Sequence, residues 1–252
     1  MIFFIKKIAK LFPKIAQSTN QSICFPGFRI IFLLSLMNIP VLSCRDTGTR
    51  DIPLQGTIEY NINYIENNTV GVPEHILPKK MVVTFNDKFV MQRIDGLMGL
   101  FSIFHIACND EKTNNTYLKV GPYKYTYTGS PEEMAAGFGY YKEKAVVAEE
   151  GNYRIAGLDA RKARIANSGS YDESYSVFYS DDFPVPGINK FNPYKDIEGI
   201  LLDFRLEING LKMHLVAKET SFSEVDEKIF FPEDYHSISR KQMDDLITAL
   251  FD

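Results

Sequence analysis

The stretch "LLDFRLEINGLKMHLVAKETSF", residues 201–222, decides the fold because it contains two strand patterns and the turn between them. Asn209-Gly210 is a dipeptide strongly preferred in the tight turns that join antiparallel strands. The residues before it alternate, so that one face of the strand is apolar. That face consists of Leu202, Phe204, Leu206 and Ile208. The stretch therefore predicts an antiparallel hairpin with one buried face.

The same kind of signal recurs before this hairpin. Alternating or continuous apolar runs are separated by Gly, Pro, Asn or Asp, which favour turns. The segments concerned are residues 56–66, 81–94, 97–108, 116–128, 144–168 and 173–180. Consecutive strand signals with few helices between them predict an antiparallel sheet rather than a parallel α/β fold.

Two helix signals accompany the strands. In "SPEEMAAGFGYY", Ser130 is a suitable N-cap and Pro131 suits the first helical position, which predicts a short helix. In "SISRKQMDDLITALF", Ser237 or Ser239 precedes an amphipathic pattern typical of a C-terminal helix. The apolar positions of that pattern are Met243, Leu246, Ile247 and Leu250. The predicted fold is mainly β: a curled antiparallel sheet, or open half-barrel, packed on a short helix and a C-terminal helix.

The N-terminal region contains "RIIFLLSLMNIPVLSC", residues 29–44. Its apolar run is shorter than the roughly 20 residues that span a membrane, and it follows a positive charge, as in a signal peptide. The ending Val41-Leu42-Ser43-Cys44 resembles the lipobox of bacterial lipoproteins. This resemblance implies cleavage before Cys44 and attachment of acyl chains such as palmitate to Cys44. The alternative is a buried free cysteine after a core helix.

The lipoprotein interpretation divides the chain into three parts. Residues 1–43 are a signal peptide, residues 44–53 are a polar tether, and residues 54–252 are a single β domain. The protein is then expected in the cell envelope, held to a membrane by its acyl chains. The residue after Cys44 is Arg45, whereas an aspartate at this position retains some lipoproteins at the inner membrane. The sequence therefore favours the outer membrane, without specifying the leaflet.

Charge and cysteine content restrict the partners. Removing the signal peptide leaves 23 Lys/Arg against 32 Asp/Glu, a net charge of −9. Such a chain is not expected to bind nucleic acid, which requires clustered cations. Cys108 lies in an apolar stretch and is predicted to be a small buried residue.

Catalytic and metal-binding motifs are absent from the sequence. The four histidines, His75, His105, His214 and His236, are widely spaced and match no zinc motif. His105 is predicted to lie in the core, and His214 to face solvent. No catalytic residue, metal or cofactor is predicted, and an enzyme is the least favoured class.

Two segments carry a resemblance to a known family. "IAGLDARKARI" and "VFYSDDFPVPGINKFNPYKDIEGILLDFRLEINGLKMHLVAKE" are similar to the GLPGLI family of bacterial envelope proteins. The matching residues are Gly157, Lys162, Ala163, Tyr179, Asp182, Phe183, Pro184, Ile197, Gly199, Ile200 and Leu201. Ala160 replaces the family's cysteine, and Asp196 and Glu198 replace a glycine and a proline. The chain thus resembles a divergent relative of that family.

The resemblance implies a fold similar to the periplasmic lipoprotein carriers (LolA-like), in which the concave face of a curled sheet meets a helix and can hold an acyl chain. "LMGLFSIFHI" is apolar on both faces, so each face requires a cover. The residues expected to contact a ligand are Met91, Met98, Phe101 and Phe104. The first hypothesis is a non-catalytic binder of an acyl chain or lipidated partner. The alternative is a non-catalytic protein–protein interaction module whose interior is filled by its own side chains.

Overall fold

A computed structural model describes residues 54–67, 75, 77–96, 99–110, 113–130, 133–138, 144–167, 170–183, 185–190, 192–208 and 211–251. The predicted signal peptide, Cys44 and Met98 lie outside the described residues. None of the helices in the described part of the chain is long and apolar enough to cross a membrane.

In the described part of the chain, twelve strands form one sheet. They are β1 (Gly56–Asn67), β2 (Lys80–Phe85), β3 (Phe89–Gly96), β4 (Phe101–Cys108), β5 (Thr113–Val120), β6 (Tyr123–Gly129), β7 (Lys144–Ile155), β8 (Leu158–Asn167), β9 (Ser170–Ser180), β10 (Ile200–Ile208), β11 (Leu211–Ser221) and β12 (His236–Ser237). Their order across the sheet is β12-β6-β5-β4-β3-β2-β1-β11-β10-β9-β8-β7. Only the two-residue strand β12 pairs in parallel. The sheet is curled but not closed into a barrel, which confirms the predicted fold class.

The predicted hairpins are confirmed where the structure describes them. Strand β10 pairs with β11 in the register Phe204 to Leu215 and Leu206 to Met213, which places all four side chains on one face. The turn between β2 and β3 is held by Asn86, whose side-chain oxygen accepts hydrogen bonds from the amides of Lys88 and Phe89.

One face of the sheet, here called the core face, forms the hydrophobic core. Its central rows of side chains are continuous across the strands, and each member is at most 8 % exposed. The members of these rows are Ile58, Val83, Met81, Ile94, Ile103, Leu118, Phe204 and Leu215. A loop residue, Tyr194, packs edge-on against Phe204 and so adds a second layer over this face.

The C-terminal helix α1 (Arg240–Phe251) covers another part of the core face. Its buried residues are Met243, Leu246, Ile247, Leu250 and Phe251. The Phe251 ring meets the Phe101 ring edge-on at 6.0 Å. Ser239 caps the helix, since its hydroxyl accepts from the Gln242 amide and its own amide donates to the Gln242 side chain. The predicted helix is therefore confirmed, with Ser239 as its cap.

The predicted short helix at Ser130 is wrong for residues 133–138, which form turns and an isolated bridge between Phe138 and Ile208. Ser130 and Glu133 do make a reciprocal cap-like contact. No helix follows, because the carbonyl of Glu133 accepts a hydrogen bond from Asn114 and Gly137 has a left-handed φ of 88°. Contacts with neighbouring elements replace the hydrogen bonds of a helix.

Candidate functional site: an apolar patch beneath a C-terminal strap

The outer face of the sheet, opposite the core face, is charged over much of its area. On β1, Glu59 pairs with Lys80 at 2.8 Å and with Lys218 at 3.2 Å. Hydrogen bonds from these two lysines lower the pKa of Glu59. On β3, Arg93 pairs with Asp95 at 2.9 Å. Most of the outer face thus has the chemistry of a solvated surface.

An apolar patch interrupts this charged surface on β3, β4 and β5. Met91, Phe104 and Ile106 are buried there, although they point away from the core face. The Tyr117 ring stacks on the Phe104 ring at 4.9 Å. Phe89 packs against the same cluster. This region is the outer apolar patch, defined by Phe89, Met91, Phe104, Ile106 and Tyr117.

A segment between β11 and β12, residues 222–235, covers the outer apolar patch and is called the strap. Its regular structure is a single 3₁₀ turn, Glu227–Phe230. Val225, Phe230 and Tyr235 pack into the patch. The Phe230 ring stacks on Phe89 at 5.2 Å. The strap therefore supplies the side chains that shield this patch from water.

Tyr235 forms the second aromatic contact of the strap. Its ring meets Phe104 edge-on at 5.9 Å and Tyr117 edge-on at 5.1 Å. The ammonium group of Lys124 lies 5.5 Å from the centre of the Tyr235 ring. These edge-to-face and cation–π arrangements are favourable geometries for aromatic groups. They hold the end of the strap against β4, β5 and β6.

Hydrogen bonds donated by backbone amides attach the strap near both ends. At its start, the amide of Val225 donates to the side-chain oxygen of Gln55 at 3.0 Å. Beyond its end, the amide of Ile238 donates to the carbonyl of Thr126 on β6 at 2.9 Å. Between them, Asp226 caps the 3₁₀ turn by accepting from the amide of Lys228. The strap is thus fixed on the sheet by polar contacts as well as apolar ones.

The structure separates the residues that the sequence groups as a ligand site. Met91 and Phe104 lie together in the outer apolar patch, 7 % and 5 % exposed. Phe101 lies on the core face and contacts Phe251 of α1. Met98 lies outside the described residues. Among the three that are described, each is covered by the chain itself.

The strap was missed by the sequence analysis. "FSEVDEKIFFPEDY" has neither the two-residue nor the 3.6-residue period, so no regular element is predicted there. Its signal is compositional: apolar and aromatic residues are interspersed in an otherwise acidic connection between a strand and a helix. Such residues in an irregular segment indicate that it packs against something.

A small cavity lies on the core face where the 133–138 turn and the 185–190 loop meet the sheet. Its volume is about 20 Å³, enough for one water molecule, and Gln92, His105 and Asn114 supply its polar lining. Burial lowers the pKa of His105 to about 3, and the charge of Arg240 adds to this effect. His105 Nδ1 lies 3.0 Å from Thr116 Oγ1. His105 thus lies on the core face, as predicted, and is partly buried beside Thr116.

A larger, open groove of about 650 Å³ lies along the loop between β9 and β10. Its lining mixes Val185, Ile188 and Ile197 with charged residues such as Lys190 and Glu198. The loop is stabilised from inside by a buried side chain, because the Asn189 amide donates to the carbonyls of Ile197 and Gly199 at 2.8 Å each. The groove is therefore lined by this loop and not by the strands of the sheet interior.

The remaining predicted residues have structural partners. Cys108 is buried, as predicted. His214 on β11 is partly exposed and its Nε2 lies 2.7 Å from Asp203 Oδ1 on β10. Among the described residues, no three His, Cys, Asp or Glu side chains form a group that could hold a metal ion.

Comparison with known proteins adds a distant structural likeness. No protein-family model matches the chain, and no curated protein matches it. A solved structure of PNGF-II superimposes with a TM-score of 0.47 and 10 % sequence identity. The match covers 77 % of this chain and 33 % of the PNGF-II chain, so this chain spans about a third of that protein's length.

Proposed function

We propose that the protein is a non-catalytic protein–protein interaction module of the cell envelope, anchored to the membrane by acyl chains on Cys44. The observation that supports this proposal is the coverage of β4. On the core face Phe101 is covered by Phe251, and on the outer face Phe104 is covered by Tyr235. Because both faces of β4 are covered by the chain itself, no open interior is left there for a ligand. Partners would then contact the exposed surface of the covering segments.

The envelope location rests on the sequence. A signal-peptide-like run ends at the lipobox-like Val41-Leu42-Ser43-Cys44. Two or more acyl chains give stable membrane attachment, since each buried CH₂ contributes about 0.8 kcal/mol. Cys44→Ala should abolish incorporation of a palmitate analogue. Labelling of Cys44→Ala at the wild-type level would overturn the anchoring proposal.

The second candidate function is the binding of an acyl chain or lipidated partner, and the outer apolar patch supports it. Met91 and Phe104 are covered only by an irregular strap, and methionine adapts to ligands of varied shape. An acyl chain would have to replace Val225, Phe230 and Tyr235. This function therefore requires the strap to leave the sheet, whereas the interaction module does not.

A fatty-acid titration distinguishes the two candidates. The protein in phosphatidylcholine nanodiscs is titrated with a fluorescent fatty acid, with empty nanodiscs as background. The interaction module predicts no saturable binding above background. Saturable binding that Phe104→Glu removes, and that Lys119→Glu on the exposed part of β5 retains, would replace the module with the ligand-binding function.

The positive test of the module is photo-crosslinking in intact cells. A photoreactive amino acid placed at the exposed residue Phe231 should give a discrete crosslinked product of higher mass. Leu100, also exposed but in the turn before β4, is the matched control position. Equal, diffuse products at both positions would show that no specific partner contacts the strap.

A further inference from the structure

The exposed side of the strap carries an aromatic surface. Phe231 is 57 % exposed and Ile229 is 39 % exposed, although the residue between them, Phe230, is 3 % exposed. The Phe231 ring packs edge-on against Phe89 at 5.1 Å, so it lies beside a second phenylalanine instead of standing alone. Single exposed apolar residues are ordinary, whereas contiguous ones mark binding surfaces.

A second aromatic pair lies at the same end of the sheet. Phe222, 40 % exposed, packs against Phe183 at 4.3 Å and against Phe85 at 6.3 Å. Phe85 and Phe89 flank the turn between β2 and β3, but the register places Phe85 on the core face and Phe89 on the outer face, so the Phe222 pair lies on the other side of this hairpin. The strap surface is therefore defined by the outer-face group alone: Phe89, Ile229 and Phe231.

The charge of the strap itself is strongly one-sided. The strap contains five acidic residues and one basic residue, Lys228, a net charge of −4 in 14 residues. All five are exposed: Glu224, Asp226, Glu227, Glu233 and Asp234. An aromatic surface bordered by carboxylates complements a partner that presents apolar and cationic side chains together.

From these observations we infer that the strap surface binds a cationic amphipathic segment of a partner protein. Apolar side chains of that segment pack on Phe231 and Ile229. Its lysines or arginines reach the surrounding carboxylates and the faces of the exposed phenylalanine rings. This inference rests on the proposed function, because it names the chemistry of the partner that an interaction module would bind at this surface.

The same charges argue against an anionic lipid surface as the occupant. Such a surface attracts Lys and Arg and repels carboxylates. The aromatic residues alone would allow many apolar partners, and the acidic border restricts the choice to cationic ones. Charge complementarity thus decides between occupants that burial of apolar area does not distinguish.

The test uses the full chain in phosphatidylcholine nanodiscs and two short amidated helical peptides, measured by fluorescence anisotropy with empty nanodiscs subtracted. One peptide combines leucine with lysine, and its matched control has glutamate in place of every lysine. The Leu/Lys peptide should bind saturably, and the Leu/Glu peptide should bind at least about tenfold more weakly. Raising the salt from about 50 mM to about 500 mM should weaken the first and not the second.

Variants locate the binding surface. Phe231→Ser should weaken binding of the Leu/Lys peptide at least about tenfold, as expected for an exposed aromatic anchor. Glu227→Gln combined with Glu224→Gln should weaken it and reduce its salt dependence. Leu100→Ser, which removes another exposed apolar side chain at a position away from the strap, should bind the peptide like the wild type.

Equal binding of both peptides, or wild-type binding by Phe231→Ser, would overturn the inference. These failures are distinguishable from failure of the proposed function. A specific crosslink at Phe231 in cells without Leu/Lys binding would retain the module and reject the cationic partner. Absence of any crosslink at Phe231, together with saturable fatty-acid binding, would reject both.

Discussion

Phe101 and Phe104 lie three residues apart in β4 and contact the same C-terminal stretch of chain on opposite faces of the sheet. The Phe101 ring is 6.0 Å from Phe251, the last described residue of α1, and the Phe104 ring is 5.9 Å from Tyr235 of the strap. Between these contacts the chain runs along β6, and the two-residue strand β12 (His236–Ser237) pairs with β6 there. Strap and helix therefore hold the sheet from both sides.

The first prediction concerns the helical half of this arrangement. Leu246 is 3 % exposed on the face of α1 that meets the core. Leu246→Ala should lower the free energy of unfolding by about 2–5 kcal/mol, because it removes buried methyl groups and leaves a cavity. Denaturant titration measures the change. Thr248→Ala, at a half-buried position two residues away, is the control and should cost less. An unchanged midpoint for Leu246→Ala would show that α1 is not docked.

The sequence predicts much of this fold because the sheet and the helix are periodic. The alternation of Phe204 with polar neighbours and the spacing of Leu246 and Leu250 each specify an element and its buried face. The strap could not be predicted, since its packed residues Val225, Phe230 and Tyr235 are spaced by five and follow neither the two-residue nor the 3.6-residue period. Its position is determined by long-range contacts with β3, β4 and β5.

The candidate site was less predictable than the fold for the same reason. Strand alternation correctly places Phe101 and Phe104 on opposite faces. It does not say what covers each face, which depends on segments more than 100 residues away in the chain. The wrong short helix has a related cause. Its capping signal is local, but two distant residues take the hydrogen bonds that a helix would need. Asn114 donates to the carbonyl of Glu133, and Asp244 accepts from the amide of Gly137.

The second prediction is a pH dependence of stability from His105. Its pKa is about 3 in the folded protein, whereas an unfolded histidine titrates near about 6.5. As the pH falls below about 6.5 the unfolded chain binds a proton that the folded protein does not. The free energy of unfolding should therefore decrease on acidification, by about 1.5 kcal/mol as the pH falls from about 6.5 to about 5.

His105→Gln should remove this part of the decrease, because glutamine can still reach Thr116 and does not titrate. His75→Gln, at an exposed position, is the matched control and should retain the wild-type slope. Free energies of unfolding at several pH values measure both. An identical slope in wild type and His105→Gln would mean that His105 is protonated equally in both states.

The third prediction concerns Arg240 at the start of α1. Its guanidinium group donates to Glu133 at 2.7 Å, to the carbonyl of Met134 at 2.8 Å and to Asp244 at 2.8 Å. Arg240→Ala should cost about 1–3 kcal/mol, because hydrogen bonds to charged partners are lost in a half-buried site. Thermal or chemical denaturation measures the loss. Arg240→Lys should recover little of it, since an ammonium group cannot reproduce the planar fork.

The neighbouring pair provides the comparison for Arg240. Lys241 and Asp245 are 2.8 Å apart, but their side chains are 84 % and 58 % exposed. Solvent screens such a pair, so Lys241→Ala should cost less than about 0.5 kcal/mol. Equal costs for Arg240→Ala and Lys241→Ala would show that the 133–138 turn does not depend on Arg240.

The last prediction compares two adjacent residues of the strap. Phe230 is buried in the outer apolar patch, and Phe231 is the most exposed large apolar residue in the described part of the chain. Phe230→Ala should cost about 3–5 kcal/mol in the cooperative unfolding transition, as for a core aromatic residue. Phe231→Ala should change stability by less than about 0.5 kcal/mol. Denaturant titrations of the two variants give the comparison directly.

The outcome for Phe230→Ala also decides how the strap behaves. If the strap unfolds together with the sheet, the whole cost appears in the midpoint of the cooperative transition. If the strap detaches separately, the midpoint stays near the wild-type value and proteases cleave residues 222–235 while the sheet remains folded. A strap that detaches would expose Met91, Phe104 and Tyr117, as the acyl-chain candidate requires. A strap that unfolds only with the sheet keeps these residues covered and leaves Phe231 as the accessible aromatic residue, as the interaction module requires.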